Sequence, residues 1–167
     1  MKMPTSCIKT IIPILFFLSS NMVHAQELKK QPASWTTIHG GMGVTNIENR
    51  VMLVGVNTNF SFKNKFVQVG LNGNLVVFGN SLTDVNISIG GRKKYRFAQL
   101  AWFAGPSWVM FSENRQSNRH SVGLNSSVQF IFRPLSIMGF GFDIYTNLNF
   151  LYPVVGLRAL LYFSNGK

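Results

Sequence analysis

Acyl transfer or hydrolysis needs a nucleophile beside a base, with a third group to orient the base. Beyond residue 25 the chain holds two histidines, His39 and His120. Ser121 follows His120, but the run from His120 to Phe132 alternates between apolar residues and small or amide-bearing ones. That period of two is a strand, and neighbours on a strand point to opposite faces. His120 and Ser121 therefore make a poor dyad. His39 shares its face with Thr37, Gly41 and Gly43, a setting in which histidine reads as a structural hydrogen-bonding group. The same parity argument puts Arg92, Arg133, Asp143, Tyr145, Arg158 and Tyr162 on polar faces. Asp143 and Arg158 fall on consecutive strands and are expected to pair, because an unpaired charge in a narrow interior is costly.

Other constellations carry less. Gly40-Gly41-Met42-Gly43 has no helix after it and is not a phosphate loop; glycine in a strand marks curvature or close packing. Two histidines with no cysteine beyond residue 25 give no metal-ligand spacing, and no cofactor is expected. The one cysteine, Cys7, precedes the apolar stretch of the N-terminus. Its removal with that segment excludes disulfides, thiol catalysis and Cys-based metal sites.

The elements that position these residues begin after an N-terminal segment of a different kind. Lys2 and Lys9 precede a short apolar run, Ile11 to Leu18, and Val23-His24-Ala25 offers small residues before Gln26. This is the pattern of a cleaved secretory signal peptide, residues 1–25, too short for a spanning helix. Residues 26–33 read as a mobile polar lead-in, and residues 34–167 as one domain. Cleavage would leave 14 Lys plus Arg against 5 Asp plus Glu. The basic residues are scattered over turns and termini without a stripe, and with the export signal this argues against nucleic acid.

The domain reads as eight strands: Trp35 to Val44, Val51 to Phe62, Phe66 to Phe78, Val85 to Arg92, Ala98 to Phe111, His120 to Phe132, Met138 to Asn147 and Val154 to Phe163. Gly79 to Asp84 reads as a loop and Ser112 to Arg119 as the longest connection. Arg133-Pro134-Leu135-Ser136 is a turn, since proline cannot donate to a ladder. Pro106 lies inside the fifth strand, where a bulge or distortion is expected.

Alternation fits both a soluble and a membrane barrel, and charge content separates them. A soluble barrel shows water a face rich in Lys and Glu. Here the polar face is Asn, Gln, Ser, Thr, Gly and Tyr, which suits a packed lumen; the other face is Val, Leu, Ile, Phe, Trp and Met, which suits lipid. The expected lumen network is His39, Asn57, Asn59, Gln68, Asn72, Arg92, Asn125, Gln129, Asp143, Tyr145 and Arg158. Trp35, Phe60, Phe62, Phe66, Phe78, Trp102, Trp108, Phe111, Phe132 and Phe163 lie near strand ends and read as outward aromatic girdles. Closure is required, because lipid cannot satisfy an open edge. The expected fold is all-β, an eight-stranded antiparallel up-and-down transmembrane β-barrel.

The export signal, cysteine-free chain, eight alternating strands and final Leu161-Tyr162-Phe163 resemble the small outer-membrane barrels of Gram-negative bacteria, of the OmpX and OmpA membrane-domain type. The run Arg133-Pro134-Leu135, Gly139-Phe140-Gly141 and Tyr145-Thr146-Asn147-Leu148-Asn149 is also similar to uncharacterised barrels of Bacteroidetes-type bacteria. The resemblance implies the cell outer membrane, contact with its lipids and lipopolysaccharide, and insertion by the barrel-assembly machinery. It also brings in an alternative, since small barrels include lipid A-modifying enzymes; the chain lacks the His-x-Ser pattern of the deacylases. The reading adopted is a non-catalytic barrel with a structural or interaction role. The alternatives are a lipid A- or phospholipid-modifying enzyme and a narrow small-solute pore. With periplasmic termini, Arg50, Arg115 and Arg119 would face lipopolysaccharide phosphates, and Lys63, Lys65, Lys93, Lys94, Arg96 and Arg133 would lie near periplasmic turns, within reach of anionic headgroups.

Overall fold

A computed structural model of the chain describes residues 34–46, 50–63, 65–76, 81–113, 117–135 and 137–164. The expected signal peptide and lead-in lie outside the described residues. The described residues form β1 (Ser34–Thr45), β2 (Val51–Phe62), β3 (Lys65–Val76), β4 (Ser81–Lys94), β5 (Ala98–Glu113), β6 (Ser117–Phe132), β7 (Met138–Asn149) and β8 (Val154–Ser164). Each strand pairs antiparallel with the next, and β8 pairs back onto β1 from Trp35↔Ser164 to Thr45↔Val154. The result is a closed eight-stranded barrel.

Register fixes its shape. One circuit along the pairs Ser34, Phe60, Val67, Ile89, Ala104, Ser126, Thr146, Val155 and Val44 returns to β1 ten residues from its start. A stagger of that size in eight strands corresponds to a strand tilt of about 40°, which leaves an interior that side chains fill.

Alternation supplies the two faces. Ile38, Met52, Val56, Leu71, Ile87, Trp108, Leu124, Phe142, Ile144 and Leu157 are exposed on the outer wall, while Asn57, Asn72, Asn86, Asn125, Gln129 and Asn147 are buried inside. An apolar wall around an amide-lined core is the reverse of a water-soluble protein.

Several local expectations need correction. β4 begins at Ser81, so Asp84 is a strand residue rather than part of a loop. β5 and β6 each run 16 residues, and their ladder extends to Glu113↔Ser117, so the charged connection is much shorter than its composition suggests. At Pro106 the expected distortion is present as a gap in the ladder, without a bulge. The pairing of Pro106 with Leu124 on β6 is in register, and the β4–β5 register is the same on both sides of it. The ladder lapses only between Asn86↔Ser107 and Ile89↔Ala104. Proline has no N–H to give to β4. The neighbouring Gly105 lies so close to β4 that a Cβ there would sit 2.2 Å from the Ile87 carbonyl oxygen. At the β2–β3 turn, Lys63 has a φ of 53°, the left-handed region that a two-residue hairpin turn requires.

The aromatic girdle is corrected in part. Phe60, Phe62, Trp108, Phe132 and Phe163 do face outward. Trp35, Phe66 and Phe111 instead point into the barrel and are buried. Phe78 lies outside the described residues.

Candidate functional site

The interior is stacked in three layers. At the end that holds both strand termini, Trp35, Phe66, Ala101, Phe103, Ile131, Leu160 and Tyr162 form a buried apolar cluster. The indole of Trp35 meets Phe66 edge-on at 5.0 Å, and the Arg92 guanidinium lies over both rings, 4.8 Å from Trp35 and 4.5 Å from Phe66. At the opposite end, Val51, Leu53, Leu82, Val109, Phe111, Tyr145 and Val154 form a second cluster, with Leu151 and Tyr152 packed against it.

A polar layer lies between them. Asp143 and Arg158 face each other across the β7–β8 ladder. Arg158 Nε donates to Asp143 Oδ1 at 2.9 Å and Nη2 to Oδ2 at 2.8 Å. This two-point geometry is the strong form of the ion pair. Arg158 Nη1 donates to Asn72 Oδ1 at 2.6 Å, and its guanidinium lies 4.1 Å from the Tyr145 ring centre. Asn72 Nδ2 in turn donates to Asp84 Oδ1 at 3.0 Å, as Asn86 Nδ2 does at 3.2 Å, while the Tyr145 hydroxyl donates to Asp84 Oδ2. Two buried carboxylates are thus joined through Arg158 and Asn72.

His39 extends the network on the other side. Its Nε2 accepts from Asn57 Nδ2 at 3.1 Å and lies 2.7 Å from Thr37 Oγ1. An accepting Nε2 leaves the ring proton on Nδ1, which is 3.2 Å from Asp143 Oδ2 but short of hydrogen-bond geometry. Hydroxyl, imidazole and carboxylate therefore occur in the order of a hydrolytic triad. The surroundings oppose that use. Thr37 is fully buried, both Asp143 oxygens are taken by Arg158, and Asn57 competes for the nitrogen that would act as base.

The remaining sequence-derived residues fall in separate groups. Asn59 donates to the Trp35 carbonyl at 3.3 Å and accepts from Gln68 at 2.9 Å. Asn125 accepts from Ser88 at 3.5 Å. Gln129 is buried beside Asp143 on the next strand, with neither amide atom hydrogen-bonded. Arg92 belongs to the aromatic layer rather than the polar one. Arg50 and Arg119 are exposed at the loop end, and Arg115 lies outside the described residues. His120 is exposed on the outer wall, its ring 5.7 Å from that of Trp108.

Sequence reasoning missed Asp84, the second acidic centre; alternation put Asn86, Asn147 and Ser107 on the polar faces, where they are buried, but did not single them out for the network. Asn147 Nδ2 donates to Ser107 Oγ at 3.1 Å. The signal for all four was parity: each lies an even number of positions from a polar-face residue of its own strand. Among the described residues no group of three or more His, Cys, Asp or Glu could hold a metal ion.

No protein-family model matches this chain, and no curated protein matches it. Solved structures do. Neisserial surface protein A superposes with a TM-score of 0.58 at 9% identity, over 78% of this chain and 94% of that one. The N-terminal β-barrel domain of Pseudomonas aeruginosa OprF gives 0.56 at 11%, over 80% and 100%. Ail, the attachment invasion locus protein of Yersinia pestis, gives 0.56 at 11%, over 81% and 99%; it has also been solved with the heparin analogue sucrose octasulfate. The chain has the fold of small outer-membrane barrels.

Proposed function

We propose that this chain is a non-catalytic, non-conducting β-barrel of the outer membrane, with a structural or surface-interaction role. The observation that carries this reading is the layered lumen: a hydrogen-bonded ionic layer closed at both ends by apolar clusters. Eight strands leave room for side chains rather than for a water column. The signal-peptide pattern of residues 1–25 and the aromatic end of β8 are in keeping with export and insertion by the barrel-assembly machinery.

Two experiments test it. Membrane fractionation should place the protein in the outer membrane as a band whose gel mobility changes on boiling. The purified protein in planar bilayers should give no discrete current steps; a reproducible unitary conductance would favour the small-solute pore instead. For the enzyme alternative, the specific observation is the Thr37–His39–Asp143 order. Incubation with lipid A or phospholipid should release no fatty acid, and release that Thr37→Val abolished would overturn the non-catalytic reading.

The outward partner in this reading is lipopolysaccharide. Arg50 and Arg119 are exposed at the loop end, and Arg115 is close to Arg119 in sequence. The Ail complex offers a parallel in kind, a polyanion on a barrel of this fold. Replacing all three arginines by Gln should lower lipopolysaccharide co-purification; unchanged co-purification would remove this partner.

A further inference from the structure

The two ends of the barrel differ in charge. All three tight turns at the terminus end are basic: Lys63 and Lys65 at β2–β3, Lys93, Lys94 and Arg96 at β4–β5, and Arg133 at β6–β7. None of the five acidic residues, Glu27, Glu48, Asp84, Glu113 and Asp143, falls in these turns. Asp84 and Asp143 are fully buried in the lumen.

Lys63, Lys65, Lys93 and Arg96 are exposed, and three of them sit against outward aromatic rings. The Lys63 ammonium is 5.8 Å from the centre of Phe62, Lys93 is 5.6 Å from Tyr95, and the Arg96 guanidinium is 5.0 Å from Phe97. Phe62, Tyr95 and Phe97 are more than half exposed, and so are Leu135 and Ile137 on the third turn. Apolar rings at this level mark where the hydrocarbon gives way to headgroups. A cation seated on such a ring is held at the depth of the lipid phosphates, with its remaining donors directed outward.

We infer that this end is a collar for anionic phospholipid headgroups, formed by Lys63, Lys65, Lys93 and Arg96 on an aromatic ledge. The collar binds lipid phosphate of the leaflet at the terminus end, which is the phospholipid leaflet when the termini are periplasmic. The inference rests on the membrane-barrel reading above. It adds a lipid class and a set of residues.

The test uses the full chain folded in nanodiscs of phosphatidylcholine and phosphatidylglycerol, with native mass spectrometry counting retained lipids. The wild type should retain phosphatidylglycerol in excess of its bulk share, and high salt should reduce that excess. Each neutralised cation near the surface weakens the attraction roughly fivefold. The variant K63Q/K65Q/K93Q/R96Q should therefore retain the two lipids in their bulk ratio. K63R/K65R/K93R should keep the preference. No enrichment in the folded wild type, or enrichment that survives the fourfold Gln change, would overturn the collar alone. So would a competition with lipid A in which these four residues retained lipid A in place of phosphatidylglycerol. A chain that gave no heat-modifiable band would overturn the membrane-barrel reading and the collar with it.

Discussion

Asp143 answers Arg158 with both carboxylate oxygens, and neither group has water to turn to. A buried pair of this kind is worth little against a well-packed apolar substitute, but breaking it strands a charge. Asp143→Ala is therefore expected to lower unfolding stability by about 3–5 kcal/mol in urea titrations. Asp143→Leu combined with Arg158→Met should recover part of that loss, since neither member of the pair is then stranded and Asp84 keeps its donors from Asn72, Asn86 and Tyr145; a double variant as unstable as the two singles added together would contradict the coupling. The sequence placed Asp143 and Arg158 on facing strands because both sit clearly inside alternating runs. Asp84 escaped because Gly79-Asn80-Ser81 reads as a loop, and the strand that reaches back to Ser81 is held by pairing with β3 and β5 rather than by its own composition. Trp35, Phe66 and Phe111 escaped for a different reason. An aromatic residue near a strand end serves equally as an outward girdle or an inward plug, and only its parity with Thr37, Gln68 or Ser107 tells which.

At the scale of the strand, small residues set how closely neighbours approach. A Cβ at Gly90 on β4 would sit 1.8 Å from the Trp102 carbonyl oxygen of β5, which is backbone and cannot swing aside. Gly40 on β1 has nothing within 4 Å of the equivalent position. Gly90→Ala is expected to cost about 1–3 kcal/mol through displaced backbone, read as a lower urea midpoint of the folded band. Gly40→Ala should change stability by less than about 0.5 kcal/mol. Equal effects at the two positions would mean that the β4–β5 contact is looser than described. The strand boundaries were less legible than the strand faces. Faces follow from alternation within a strand, whereas the 16-residue lengths of β5 and β6 depend on how far the two keep pairing with each other. Pro106 shows the same division. Its missing donor was foreseeable, but the outcome, two lost pairs with no inserted residue, depends on β6 holding the register from the other side.

At the scale of the molecule, the barrel is inverted relative to a soluble protein: amides and ion pairs inside, aliphatic and aromatic side chains outside. This was the most legible property of the chain, because it needs only the near-absence of charge on the polar face of the strands. The layering of the lumen was not legible, since it depends on which inward residues end up at the same height once ten residues of stagger tilt the strands. The central claim is the direction of the two faces, and tryptophan fluorescence reads it directly. Trp35 is 2% exposed inside the barrel and Trp108 is 51% exposed on the outer wall. Two single-tryptophan variants, one retaining Trp108 (W35F/W102F) and one retaining Trp35 (W102F/W108F), would be folded into vesicles whose acyl chains carry bromine. The Trp108 emission should be strongly quenched and the Trp35 emission left nearly unchanged; quenching of Trp35 with sparing of Trp108 would contradict the outward apolar wall.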